Sequence, residues 1–385
     1  MHVTFDAQIF SSQAQGGISR YFLELARQLN ALPDTSADVL APIFITRALR
    51  DEHRALAARP AWFDRIGTRL SDAGLRSLSA REAQWRRRVN VALSARRLRR
   101  EEPDVLHETF FTETPLPLQR ARRVLTVQDM IDEKFLLASG RTSPAFIATK
   151  RDAILRADHV LCSSRQTQVD LLERVSLPES RTSVVHLGCR SREEWPEPTQ
   201  PDPDLPPYIL FVGVRESYKN FAQLLRAFAA SRRLTRDCAI VTFGGGVWTA
   251  DERALVTTLG LDPARLIQRQ GDDAVLAGLY RGARVCAYPS AYEGFGLIPL
   301  EAMTFGCPVV TTHGGSLAEV VEDAAEVVDP DSVESISVAL ERAMFDETRR
   351  ENLRVAGERQ VRRFTWRACA VGTRAAYERV LGART

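Results

Sequence analysis

From residue 192 to 207 the chain reads Arg-Glu-Glu-Trp-Pro-Glu-Pro-Thr-Gln-Pro-Asp-Pro-Asp-Leu-Pro-Pro, six prolines in sixteen residues. Proline fixes φ and brings no N–H, so neither a helix interior nor an inner strand runs through such text. Residues 191–207 therefore read as a linker that cuts the 385-residue chain into 1–190 and 208–365, with a closing segment 366–385. A chain of this length exceeds one core and suits two. The first half opens with a strand near 2–6, passes through Gly16-Gly17, and enters a helix whose Ile18, Tyr21, Phe22, Leu25 and Leu29 repeat at the helical period until Pro33. Further strands are predicted at 39–45, 104–107, 123–127, 159–162 and 183–186. The second half restarts with a strand at 208–214 and a helix marked by Phe221, Leu224, Leu225 and Phe228; strands follow at 239–243, 266–269, 285–288, 308–311 and 325–328. Strands alternating with helices predict an α/β protein built from two doubly wound, parallel-sheet domains.

Composition narrows the function classes. Apolar content of 44% and charged content of 26% are those of a soluble globular protein. No stretch approaches 18 uninterrupted apolar residues, and the N-terminus reads directly as a first strand with no signal sequence. A cytoplasmic protein is expected. The six cysteines form no CxxC pair and the six histidines no ligand spacing, so buried reduced thiols are expected and neither a disulfide frame nor a metal site. A net charge of +3 is too small to point to nucleic acid. Residues 81–100 differ, with eight arginines against one acid and Trp85, Val89 and Leu93 on one helical face. That stripe either packs on its own domain or lies on an anionic membrane surface, at ~1 kcal/mol per basic residue.

The chemistry is concentrated in Tyr292-Glu293-Gly294-Phe295-Gly296-Leu297-Ile298-Pro299-Leu300-Glu301-Ala302-Met303. A glycine-rich loop runs into a helix, and Pro299 suits a first helical turn. The free N–H groups of such a helix start, near Gly296, Leu297 and Ile298, favour an anion, most naturally a phosphate. Glu301 lies past that point, where it can accept hydrogen bonds from neutral hydroxyls such as a ribose diol. Glu293 lies on the loop in front. The same text also fits an ordinary strand-loop-helix crossing with two surface acids. Arg215 and Lys219 follow the strand that opens the second half, at the strand end where α/β sheets bind ligands. Gly244-Gly245-Gly246 lets backbone approach a ligand closely or simply makes a tight turn.

These segments together resemble retaining glycosyltransferases of family 4, with the GT-B fold of two Rossmann-like domains facing across a cleft. Glu293 and Glu301 match that family's Glu-x7-Glu motif. Arg215 and Lys219-Asn220 match its diphosphate clamp, and Gly271-Asp272 the segment that cradles the base. Ser316 to Val320 is similar to an element near the active cleft, where Glu319 could equally be a helix-start acid. Gly16-Gly17 resembles the loop that approaches donor phosphate and acceptor. Phe5 to Phe10 and His107 to Phe111 are similar to the branch that builds bacterial surface polysaccharides, often from GDP-mannose. The resemblance implies that helix 366–385 crosses back onto the first domain.

One position departs from the family. Its usual Thr-Val-His-Asp-Met reads Thr126-Val127-Gln128-Asp129-Met130. In relatives the histidine contacts the donor sugar; Gln128 can hydrogen-bond but cannot titrate near neutral pH. The expectation is a metal-independent retaining glycosyltransferase without cofactor. It would move a hexose or 6-deoxyhexose from a nucleotide-sugar, GDP-linked by the resemblance, to a glycan or lipid-linked oligosaccharide of lipopolysaccharide, O-antigen or exopolysaccharide type. Arg215, Lys219 and Glu293 would carry catalysis. Nucleotide and sugar would be bound by Gly16, Gly17, Gln128, Asp129, Gly244, Gly271, Asp272, Gly294, Phe295, Gly296, Leu297, Ile298 and Glu301. A UDP-sugar-dependent transferase, a 2-epimerase of the same fold and a non-catalytic nucleotide-sugar binder remain as rivals.

Overall fold

The computed structural model describes residues 1–12, 16–40, 80–200, 204–215 and 217–382. Its chain forms two bodies. One comprises Met1–Ser163, Thr167–His186 and Trp366–Thr385; the other comprises Ser164–Gln166 and Leu187–Thr365.

The first body holds a six-stranded, all-parallel sheet of β1 (His2–Asp6), β2 (Ser36–Leu40), β3 (Val105–Glu108), β4 (Arg122–Val127), β5 (His159–Cys162) and β6 (Thr182–Val184), in the order β2-β1-β3-β4-β5-β6. Of its inner strands β3 and β5 are buried along their whole length and β1 and β4 along all but their first residues, as a sheet covered on both faces requires. Phe5 pairs across to Val39 on one side and His107 on the other. Residues 41–45 of the strand predicted at 39–45 lie outside the described residues. The helix Gly17–Asn30 and the C-terminal helix Trp366–Gly382 lie together, with the Tyr21 and Trp366 rings 6.1 Å apart. The latter helix is keyed to the sheet by Tyr377, whose hydroxyl lies 2.6 Å from His107 Nδ1, while Thr126 Oγ1 lies 2.8 Å from His107 Nε2.

The second sheet is also parallel and six-stranded: β7 (Tyr208–Val212), β8 (Ala239–Phe243), β9 (Leu266–Arg269), β10 (Val285–Tyr288), β11 (Val309–Thr311) and β12 (Glu326–Val327), ordered β12-β11-β10-β7-β8-β9. The strands predicted at 2–6, 159–162, 239–243, 266–269 and 285–288 have those bounds, the strand predicted at 39–45 begins earlier, at Ser36, and the others differ by one or two residues at an end. The helix Phe221–Ala230 packs into the core through Phe221, Leu224, Leu225 and Phe228, as its periodicity predicts. All six cysteines are buried free thiols, and burial pushes Cys162 and Cys189 up to about 12.

Two sequence readings need correction. The described part of the proline-rich linker, up to residue 200, is packed on the second body. Trp195 is buried with its ring 5.2 Å from Phe305, under the Arg190 guanidinium at 3.8 Å, and Thr199 N–H donates to Ala274 O at 3.1 Å. Prolines prevent regular structure but do not prevent a strap from packing, and residues 187–200 belong with the second body. Asp202-Pro203, within the one Asp-x-Asp run there, lies outside the described residues. The basic segment does form a helix, Ala80–Leu98, but Asn90, Ser94 and Leu98 are its buried line, with Val91 and Ala95 against Leu40, Leu106 and Leu116. The predicted face of Val89 and Leu93 is only half-buried. The side chain of Trp85 lies outside the described residues.

Candidate active site

In the second sheet the strand order reverses between β7 and β10, the place in an open α/β sheet where the loops leaving the strands bind ligands. The loops leaving β7 and β10 are tied to each other where Ala291 N–H donates to Tyr218 O at 2.8 Å. Asn220, left-handed at φ 60°, turns the first loop into the helix Phe221–Ala230 and anchors it to Pro330 O at 2.6 Å. This turn aims Lys219 across at the second loop. Its Nζ donates to Glu293 Oε1 at 2.6 Å and to the Tyr288 hydroxyl at 2.8 Å. Burial, and then the charge of Glu293, push the Tyr288 hydroxyl well above its ordinary value, so it stays a neutral donor and acceptor.

Glu293 is held by its backbone. It bridges to Gly315, and the Ser316 hydroxyl donates to Glu293 O at 3.0 Å and Phe295 O at 2.7 Å. A Cβ on Gly315 would fall 2.2 Å from Glu293 O, and its φ of +66° is left-handed, so only glycine fits. The loop Gly294-Phe295-Gly296 is buried and passes into the helix Leu297–Thr304, with Pro299 in the first turn. Leu297 and Ile298 are half-buried at that helix start. Glu301, one turn on, accepts from the Tyr280 hydroxyl at 3.0 Å; burial and this carboxylate raise the Tyr280 phenol well above its ordinary value.

Arg215 departs from the picture of an open clamp. Its side chain is 3% exposed and pairs with Glu252 at 2.6 Å. It also donates to Gly244 O, Gly246 O and Val247 O at 3.4, 3.0 and 3.1 Å. Burial alone would raise the Glu252 carboxyl, but the bonds from Arg215 and from Thr249 N–H hold it below the ordinary range. The glycine run serves this docking. A Cβ on Gly245 would fall 2.8 Å from both Arg215 Nη1 and Gly213 O, at a left-handed φ of +72°. Asp272, expected near the base, accepts from Ala274 and Val275 N–H at 3.0 and 3.1 Å and caps the helix Asp273–Gly282. Gly271 stands just before it, packed against Val275. Glu319 accepts from the N–H groups of Arg165 and Gln166 at 3.1 and 3.2 Å.

In the first body the strand order reverses between β1 and β3. Asp6, at the end of β1, is sealed there and accepts from Thr109 Oγ1 at 2.6 Å and Thr109 N–H at 3.0 Å; burial raises its carboxyl. It borders a cavity of about 470 Å³ walled by Phe110, Phe111 and Phe146. A smaller pocket of about 60 Å³ next to it is lined by Gln128 and Asp129 from the loop after β4. The Nε2 of Gln128 is cut off from solvent with no hydrogen-bond partner among the described residues. Asp129 turns its carboxylate to Ile131 N–H at 3.0 Å, and its carbonyl accepts from the buried Lys150 at 2.9 Å. Lys150 also pairs with Glu133 at 2.9 Å, and burial raises Asp132 beside it. Gly16 caps the helix Gly17–Asn30 in an extended conformation, and nothing lies within 4 Å of a Cβ built on Gly17, so packing does not demand a glycine at position 17.

Two family models meet end to end on this chain: Glycosyltransferase Family 4 over residues 15–191 and Glycosyl transferases group 1 over residues 191–360. The chain belongs to glycosyltransferase family 4. Among family relatives it is 32% identical to the O-antigen chain mannosyltransferase B of Escherichia coli, over 57% of this chain and 60% of that one. It is 31% identical to the D-inositol 3-phosphate glycosyltransferase of Salinispora tropica, over 60% of this chain and 53% of that one. The matches thus span between half and two thirds of those relatives' length. The fold is the GT-B fold, similar over the full length of both chains to the sucrose-phosphate synthase of Thermosynechococcus elongatus, at 18% identity and a TM-score of 0.74.

Several residues that contact the candidate site residues within each body escaped the sequence reading. Tyr288 ends the apolar run Val-Cys-Ala-Tyr, and a polar-tipped aromatic at a strand's C-terminal end was the available signal. Tyr280, Glu252 and Lys150 carried none, because each sits on a helix whose text is unremarkable. For the support of Glu293 the available signal was the glycine pair Gly314-Gly315 shortly after β11.

Proposed function

We propose that this family-4 chain is a metal-independent, retaining glycosyltransferase. It would move a hexose or 6-deoxyhexose from a nucleotide-sugar, GDP-linked and manno-configured, onto a growing bacterial surface glycan. The observation that carries this is the Lys219–Glu293–Tyr288 group at the strand-order reversal, ahead of a helix start and one turn from Glu301. Lys219 spends two N–H groups on protein and keeps a third for the leaving diphosphate, whose growing charge fixed donors stabilise. Backbone N–H groups near Gly296 and Leu297 add to it. Glu293 then meets the donor sugar, and Glu301 the ribose. Arg215 joins the diphosphate when Glu252 yields it. Gln128 Nε2, a buried donor lacking an acceptor, suits a sugar hydroxyl. With no nucleophile required, the acceptor attacks on the face the diphosphate vacates, and positioning does the rest.

The O-antigen relative supports mannose and a polysaccharide acceptor, whereas the inositol-phosphate relatives keep other donors and acceptors in play. No helix among the described residues is long and apolar enough to cross a membrane. Contact of residues 81–100 with anionic lipid and a cytoplasmic location are part of the proposal.

The test is a thermal-shift panel of GDP-, UDP- and dTDP-sugars with EDTA present, since only a ligand of the native state raises the midpoint. GDP-mannose or its 6-deoxy analogue should raise it most, and Glu301→Gln should diminish the rise. A panel without effect overturns the reading, and a response to UDP-sugars alone overturns the choice of nucleotide.

A further inference from the structure

At the edge of the first sheet where β4, β5 and β6 begin, three arginines from three separate elements border one open recess of about 590 Å³. Arg122 is the first residue of β4, Arg181 ends the short turn before β6, and Arg379 comes from the helix Trp366–Gly382. Gln128 follows the other end of β4, so six residues at about 3.3 Å each hold the recess roughly 20 Å from it.

The protein uses few of the donors. Arg122 Nη1 meets Asp158 at 3.3 Å, Arg379 Nη2 donates to Ser183 Oγ at 2.8 Å, and Arg181 Nη2 donates to Leu155 O and Ala157 O. A guanidinium has five donors, so most of this capacity has no acceptor among the described residues. Arg122 Nε is shut off from solvent and bonded to nothing described. One carboxylate faces three cations. The field is registered by His159, whose ring Nε2 lies 2.7 Å from Ser183 Oγ; burial, then Arg379 and Arg181, hold it at about 4.

We propose that this recess binds a phosphate group, either free or as the headgroup of an ester. Guanidinium groups from three separate elements match an anion with several oxygens in a tetrahedron, whereas a carboxylate presents one plane and satisfies one fork. The volume leaves room for whatever the phosphate is attached to.

The experiment follows the His159 ring resonance and the melting midpoint while inorganic phosphate replaces chloride at constant ionic strength. It is run in parent, Arg379→Gln and Arg122→Gln proteins. Co-sedimentation with phosphatidylglycerol and phosphatidylcholine vesicles forms a second arm. Lys219→Ala controls for phosphate in the donor site. The expected result is saturable binding that raises the His159 titration above about 4, weakened about tenfold in Arg379→Gln, the worth of one charge-assisted contact. Arg379 is exposed, so that variant keeps the fold. A response to phosphate identifies a soluble ligand. Binding to phosphatidylglycerol alone, lost in Arg379→Gln, identifies a headgroup. The proposal is overturned if His159 does not move with phosphate and no vesicle binding depends on Arg379 or Arg122.

Discussion

Lys219 Nζ stands 2.6 Å from Glu293 Oε1, with the two side chains 13% and 8% exposed. A charge pair so nearly dry is stable only while both partners remain. Lys219→Ala strands the Glu293 carboxylate and is expected to lose about 3 kcal/mol of stability together with ~10²–10³ in turnover. Adding Glu293→Gln should restore part of the stability and none of the turnover. Denaturant melts of the two singles and the double check it; strictly additive losses would show that the pair is not coupled.

The grip on Glu293 comes from behind. Gly315→Ala places a methyl group 2.2 Å from Glu293 O at a left-handed φ, so the loop must shift. Donor turnover should fall at least tenfold while the unfolding free energy drops by only the ~1–3 kcal/mol of local backbone strain. Retention of more than half the parent rate would mean that the position of Glu293 does not matter.

Arg215 shares its guanidinium with Glu252, and the proposal has the diphosphate compete for it. Glu252→Gln removes the competing charge but keeps an acceptor for Thr249 N–H, which Glu252 Oε2 now meets at 2.6 Å. Calorimetry should show the nucleoside diphosphate binding several-fold tighter, and Arg215→Ala should reverse the gain. Weaker binding in Glu252→Gln would make Glu252 the residue that positions Arg215.

Two histidines set an acid limit. Burial holds His107 at about 3, and His159 lies at about 4, against 6.5 when exposed. As pH falls below 6.5, the unfolded chain takes up protons that the folded chain refuses, so their contribution to stability falls. Each ring supplies a slope of at most ~1.4 kcal/mol per pH unit. Raised carboxyls such as Asp6 act in the opposite sense, so the readout is the difference between parent and His107→Asn. Between pH 6 and 5 the variant should lose less stability than the parent; parallel profiles contradict a neutral His107.

Strand positions were legible in the sequence because buried parallel strands are short apolar runs between turns. The helix face of residues 81–100 was not, because its buried line includes Asn90 and Ser94, which read as polar. The glutamates, Lys219 and the glycine loop were legible as a pattern. Their partners were not: the Glu252 that occupies Arg215 lies 37 residues away, and the Tyr280 that meets Glu301 lies 21 away. The capping role of Asp272 was written in Asp272-Asp273-Ala274-Val275, a helix start that the resemblance to a base-binding segment overshadowed.

The central claim is transfer from a nucleotide-sugar with retained configuration. Purified protein with EDTA, GDP-mannose and a mannan acceptor should release GDP only when acceptor is present. The product should show the donor's α-configuration by NMR, and Gln128→His should shift the kcat/KM ratio between GDP-mannose and its 6-deoxy analogue. No transfer from any GDP-, UDP- or dTDP-sugar, nucleotide release that ignores the acceptor, or a β-linked product would contradict it.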